Sequence, residues 1–321
     1  MPLNYAKTAL LLLALTSIFV SIGALIGGTN GLLMAFVVAL VMNAVSLWKS
    51  DTMVLHLYGA HEVDENSAPE YYSLVQQLAA SADLPPPRVY VIDNPQPNAF
   101  ATGRSPSRSA VAASTGLLHA LSQEELAGVI AHELAHIKNR DTLTMGVAAT
   151  IGGAISMVAQ YMQFGLFAGG ARDNQNSHSH IGALFAILVA PFLAMLVQMA
   201  ISRSREYQAD RMGAIICRNP RWLSSALAKI HSAVQRVPNW QAEEAPATAH
   251  LFIINPLTGH GIDNLFSTHP NVENRIRALE ELAVEMGQSS DEGRSNLDDI
   301  SSRGRDDNGP WASKKARGPW G

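Results

Sequence analysis

Residues 122–141 run Ser-Gln-Glu-Glu-Leu-Ala-Gly-Val-Ile-Ala-His-Glu-Leu-Ala-His-Ile-Lys-Asn-Arg-Asp, and this stretch decides the fold. Ser122 with Glu125 three residues on is a capping box, the signature of a helix start. Leu126, Val129, Ile130, Leu134 and Ile137 then recur at helical spacing and give that helix an apolar stripe. On such a helix His132 and His136 are four residues apart and share a face, so both imidazoles can reach one ion. Glu133, beside the first histidine, is placed to polarise a water on that ion. A catalytic zinc takes three protein ligands and keeps one position open. The residues after His136 are Ile-Lys-Asn-Arg-Asp, so no third histidine follows and the remaining ligand must come from elsewhere.

Working outward, the helix is flanked by long apolar stretches. Residues 8–26, 31–48, 143–168 and 181–202 contain no Asp, Glu, Lys or Arg, and a membrane span needs about 20 apolar residues. They pair as two hairpins, the first turning at Gly27 to Asn30. Each hairpin returns the chain to its own side, so the N-terminus, residues 50–142 and everything after residue 202 share one face of the membrane. Lys7, Lys49, Lys138, Arg140, Arg203 and Arg205 crowd the span ends on that face, against Arg172 alone on the other. The positive-inside rule then puts the bulk of the chain in the cytoplasm. The organisation expected is a transmembrane hairpin (1–49), a first catalytic part (50–142), a second hairpin (143–202), a second catalytic part (203–286) and a disordered tail (287–321), rich in Ser, Gly, Asp and Arg.

This layout suggests the third ligand. His136 lies seven residues before the third span and Glu206 four residues after the fourth. At about 1.5 Å per residue, both sit within roughly 10 Å of the same membrane surface. An antiparallel hairpin of the last two spans would bring them side by side, with Asp210 one turn beyond Glu206, placed to accept a hydrogen bond from a ligand histidine. The expected donor set is His132, His136 and Glu206, holding one Zn²⁺ per subunit.

Elsewhere, an amphipathic helix is predicted from Pro69 to about Ala82, stopped by Pro85 to Pro87. Strands are predicted over 88–93 and 109–114, a helix capped by Asn219-Pro220 to about Val234, and another from near Pro270 to about Met286. The class is therefore a mainly α membrane protein with a small β-sheet. The chain is 47% hydrophobic and only 16% charged, thin for a soluble domain. A net charge of −4 points away from nucleic acid as a partner. Cys217 is the single cysteine, excluding an internal disulfide, and reads as a small buried apolar residue.

The run from Ser114-Thr-Gly-Leu-Leu through His132-Glu-Leu-Ala-His136 to Asp141 resembles the HtpX-type membrane metalloproteases. So do Ser204-Arg-Glu-Tyr-Gln-Ala-Asp210, Asn255-Pro-Leu and Phe266-Ser-Thr-His-Pro270. The resemblance covers roughly residues 5 to 285 and implies four transmembrane helices with a cytoplasmic gluzincin-like α+β domain. It implies zinc ligands His132, His136 and Glu206, Glu133 as general base, and quality control of membrane proteins, typically at a bacterial inner membrane. It also suggests that Asn98, Ala99 and Phe100 lie beside the active-site cleft, where a peptide substrate could add to a strand edge. His269 would hydrogen-bond the oxyanion, supported by Arg275. Two other functions compete. An intramembrane protease would bury its H-E-x-x-H inside a span, whereas Lys138 to Asp141 follow the motif here. A non-enzymatic scaffold would be expected to have lost Glu133 or a ligand, and none is lost.

Overall fold

The computed structural model describes residues 2–150, 203–236, 251–254 and 270–288. Most of the two apolar stretches after residue 142, His269 and the tail beyond residue 288 lie outside the described residues.

Helix α1 (Pro2–Leu57) is broken at Gly27 and Gly28, the latter at φ 60° and ψ −141°, a conformation glycine reaches freely. The chain folds back there. Asn43 donates a hydrogen bond to Thr16 at 2.8 Å, and a Cβ on Gly23 would meet Ala35 and Gly31. The two apolar stretches therefore lie antiparallel. Among the described residues, Gly27–Leu57 is the one stretch long and apolar enough to cross a membrane, and along it Leu33, Met34, Phe36, Val37, Leu40 and Trp48 are exposed. Its last turns reach past the predicted span end and carry Val54, Leu55 and Tyr58 onto the sheet.

The sheet has the order β1-β2-β4-β3, from strands β1 (His61–Val63), β2 (Arg88–Ile92), β3 (Ala99–Ser105) and β4 (Arg108–Ser114). β2 runs parallel to β4, and the outer pairs are antiparallel. Alternation gives each face its own partner. Val89, Val111, Ala113, Ala99 and Ala101 face the helices, whereas Tyr90, Ile92, Ala112 and Phe100 face Tyr58, Met145 and Phe252. Helix α2 (Pro69–Ser81) lies in the first core, and α3 (Thr115–Ala120) follows β4. The β2 and β4 predictions agree to within a residue or two; β1 is too short to show a period.

Helix α4 (Gln123–Asn139) has the capping box in full: Glu125 N–H donates to Ser122 Oγ, and Ser122 N–H donates to Glu125 Oε2 at 2.8 Å. α5 (Arg203–Cys217) crosses it so closely that a Cβ on Gly213 would lie 2.8 Å from His132 N. α6 (Pro220–Val234) crosses at Gly128, where a Cβ would lie 2.6 Å from Leu223 N. α7 (Val272–Glu285), capped by Asn271, begins slightly later than predicted and closes the bundle. Ala131, Ala135, Ala209 and Ala214, all fully buried, allow these approaches.

Candidate metal centre

The buried face of α4 carries His132, Glu133 and His136, and α5 brings Glu206 against it. His132 Nε2 and His136 Nε2 are 3.2 Å apart. Glu206 Oε2 lies 3.7 Å from the first and Oε1 lies 3.6 Å from the second. Zinc bonds of about 2.0–2.2 Å in tetrahedral geometry put donor atoms about 3.3–3.6 Å apart. The triangle therefore has the dimensions of three ligand positions around one zinc ion. Nothing else among the described residues makes such a group of three.

Each histidine presents Nε2 to this centre because a carboxylate sits at its Nδ1. Asp210 Oδ1 is 2.9 Å from His132 Nδ1, though poorly aligned with the ring N–H direction. Asp141 Oδ2 is 3.2 Å from His136 Nδ1. The expectation named Asp210 and overlooked Asp141. The cause is the end of α4: Arg140 is left-handed (φ 61°), and Asp141 N–H donates to the His136 carbonyl at 2.9 Å. The chain folds back and tucks Asp141 under the ring of its own helix. A non-glycine residue at such a cap leaves little trace in a sequence.

An arginine backs each carboxylate. Arg205 reaches Asp141 at 3.4 Å. Arg275, on α7 and fully buried, holds Asp210 through two hydrogen bonds of 2.9 and 2.7 Å and lies 3.8 Å from Glu206 Oε2. Burial alone would raise the Asp210 carboxyl and lower Arg275, but their pairing wins: Asp210 is held well below, and Arg275 above, its ordinary value. Burial also disfavours a protonated His136, yet its bond to Asp141 and the charges of Glu206 and Glu133 lift it to about 9. The centre is thus rich in negative charge and suited to a cation.

Glu133 lies outside the donor triangle. Ala101 N–H donates to its Oε2 at 2.8 Å, and burial lifts its carboxyl above the ordinary range, with the two histidines opposing. The register explains the contact. Ser114 N–H donates to the Asn98 carbonyl, so the main chain of Asn98, Phe100 and Thr102 faces β4. The alternate residues Ala99, Ala101 and Gly103 then turn theirs outward along the edge. Ala101 meets Glu133 there, and the Gly103 carbonyl accepts from Thr142 Oγ1 at 2.8 Å. The Asn98 side chain accepts from Ile253 N–H at 3.2 Å.

The family model of peptidase family M48 matches residues 65–283, which includes every residue named in this centre. The chain belongs to peptidase family M48. Members of that family are zinc metallopeptidases, and His132, His136 and Glu206 form a site that fits the metal. Among solved structures the chain is similar to Ste24p of S. mikatae, at 16% identity and a TM-score of 0.47, over 86% of this chain and 65% of that one.

Proposed function

We propose that this protein is a membrane-anchored zinc endopeptidase, with its metal centre on the cytoplasmic face, that cleaves misfolded or damaged membrane proteins. The observation that carries the chemistry is the donor triangle of His132, His136 and Glu206, with Glu133 next to it on α4 and hydrogen-bonded to the edge of β3. When bound, zinc supplies Lewis-acid polarisation. Glu133 takes a proton from the attacking water as its oxygen bonds to the scissile carbonyl carbon, and passes that proton to the leaving amine as the C–N bond breaks. Ala101 N–H holds Oε2, which orients the carboxylate for this task.

The substrate lies along the outward main chain of β3, beside Asn98, Ala99 and Phe100, and pairs as an added strand. His269 hydrogen-bonds the developing oxyanion. Four spans, over 8–26, 31–48, 143–168 and 181–202, anchor the catalytic domain, consistent with the exposed apolar side chains on α1 and the basic residues near the span ends. The resemblance to the HtpX type supports quality control at a bacterial inner membrane.

The test is Glu133→Gln in the full-length protein. Zinc content should be unchanged, whereas proteolysis of a loosely folded substrate should fall by at least about 10²-fold. A variant that loses zinc, or one that cleaves normally, refutes this assignment.

A further inference from the structure

The short segment Leu251–Ile254 is buried at every residue. It sits between two groups already assigned. Ile253 N–H donates to Asn98 Oδ1 at 3.2 Å, and the Ile253 carbonyl accepts from Arg275 Nη1 at 2.8 Å. Its neighbour Phe252 stands edge-on to Tyr58, with ring centroids 5.6 Å apart, and Tyr58 is tilted against Phe100 at the same separation. One peptide unit on each side of Ile253 is thus pinned at both ends. One end is the strand proposed to hold substrate; the other is the guanidinium that holds Asp210.

We infer that Arg275 is a positioning residue that couples the metal centre to the substrate edge through the main chain of Ile253. The inference rests on the proteolytic reading above. Its basis is the fork of the guanidinium. Nε and Nη2 donate to Asp210, and Nη1 donates to Ile253 at 2.8 Å, with Glu206 Oε2 a more distant 3.8 Å from it. A lysine has the charge but concentrates it at one point and cannot span both partners. The two duties can therefore be separated.

In Arg275→Lys the ammonium keeps the Asp210 pair and loses Ile253. Zinc content should stay within about twofold of wild type. KM for a quenched fluorogenic peptide should rise about 2- to 12-fold with kcat little changed, the range of one net hydrogen bond. Asn98→Ala releases the other end of the same segment and should raise KM similarly. Because both act through Ile253, the double variant should do no worse than the poorer single. Hydrogen exchange of the 251–254 amides, measured on the full chain in detergent, should speed up in each single variant and supplies a readout independent of activity. It also keeps the test decisive if Arg275→Lys accumulates poorly, since Asn98→Ala alone must then deprotect Ile253.

Multiplying KM effects would overturn the inference, as would unchanged exchange at 251–254, or a loss of zinc in Arg275→Lys with KM intact. An inactive wild type would refute the proteolytic reading alone, leaving the exchange experiment to judge the coupling.

Discussion

Gly213→Ala tests how tightly the metal centre depends on the crossing of α4 and α5. The added Cβ would lie 2.8 Å from His132 N, 2.9 Å from His132 Cα and 3.1 Å from Ala131 C. All three are backbone atoms of α4, so no side chain can swing aside. Restoring ordinary contact of 3.4 Å requires the helices to part by about 0.6 Å locally. Glu206 is seven residues earlier on α5, nearly two turns, and so on the same face. Its carboxylate would move with the helix, and a zinc–ligand distance tolerates only about 0.2 Å. Overpacking of this kind costs about 1–3 kcal/mol. Alanine returns up to about 1 kcal/mol through helix propensity, so the effect on stability is blunted. The effect on metal is not. Felt at the ligand, about 1–3 kcal/mol weakens zinc binding about 5- to 150-fold. The assay is competition for zinc with a chromophoric chelator, with circular dichroism to confirm folding. Gly128→Ala is the control: its Cβ would lie 2.6 Å from Leu223 N at the crossing with α6, which carries no zinc donor. It should lower the melting temperature and leave zinc affinity unchanged in the folded fraction. A Gly213→Ala protein that binds zinc like wild type, or a Gly128→Ala protein that loses it equally, would refute the reasoning.

Asp141→Asn and Asp210→Asn should each weaken zinc binding about 10- to 100-fold, as partners of ligand histidines usually do, with similar magnitudes because each supports one ring; competition titration measures this, and an inert Asp141→Asn would remove that residue from the site. Cys217, buried so that its thiol is pushed up from 9.0 to about 11, should react with a thiol reagent at pH 8 about a hundredfold more slowly than a free cysteine, and at the ordinary rate once unfolded. Its sign for stability is negative with rising pH: between about 9 and 11 the unfolded chain has released the proton that the folded chain retains, so chemical denaturation midpoints should fall across that window and flatten in Cys217→Ala. A reporter fused after Met286 should read cytoplasmic and one near Asn174 should read on the opposite side; both on one side would mean that one apolar stretch does not cross.

The H-E-x-x-H helix was readable because everything that specifies it is local. Its capping box, apolar stripe and i, i+4 histidines lie within 20 residues, and helix geometry converts that spacing into a shared face. Glu206 and Asp210 needed one long-range step. That step comes from reading the apolar stretches as spans, which sets an expected distance of each residue from a common surface; the fold brings Glu206 to His132 and His136 through the crossing of α5 on α4. The hairpin turn at Gly27 and Gly28 was legible on the same principle, from a break between two apolar runs.

What the sequence did not disclose depends on tertiary contacts with no period. Asp141 is adjacent to the motif, but its role comes from a left-handed Arg140 that reverses the chain. Arginine gives no cue for that conformation, where a glycine would have. β3 reads poorly as a strand because Ala99 and Ala101 have small side chains suited to close packing by the helices, and Gly103 sits at φ +135° against the backbone of Arg108 and Ser109. Arg275 sits 65 residues beyond Asp210, and no spacing rule connects α7 to α5. The arginines near Glu206 illustrate the same limit. A juxtamembrane reading treats Arg203, Arg205 and Arg211 as one solvated group. In the fold, Arg205 is buried on Asp141, while Arg211 is exposed and pairs with Glu285. Residues 205 and 211 differ by six positions, or about 240° around a helix at 3.6 residues per turn, so one faces α4 and the other solvent. Which arginine faces α4 follows from Glu206 once it is taken as a ligand, because the helix phase is then set. A metal ligand assigned on a helix thus fixes the roles of its charged neighbours as well, and Arg205→Met should weaken zinc binding through Asp141 where Arg211→Met leaves it unchanged.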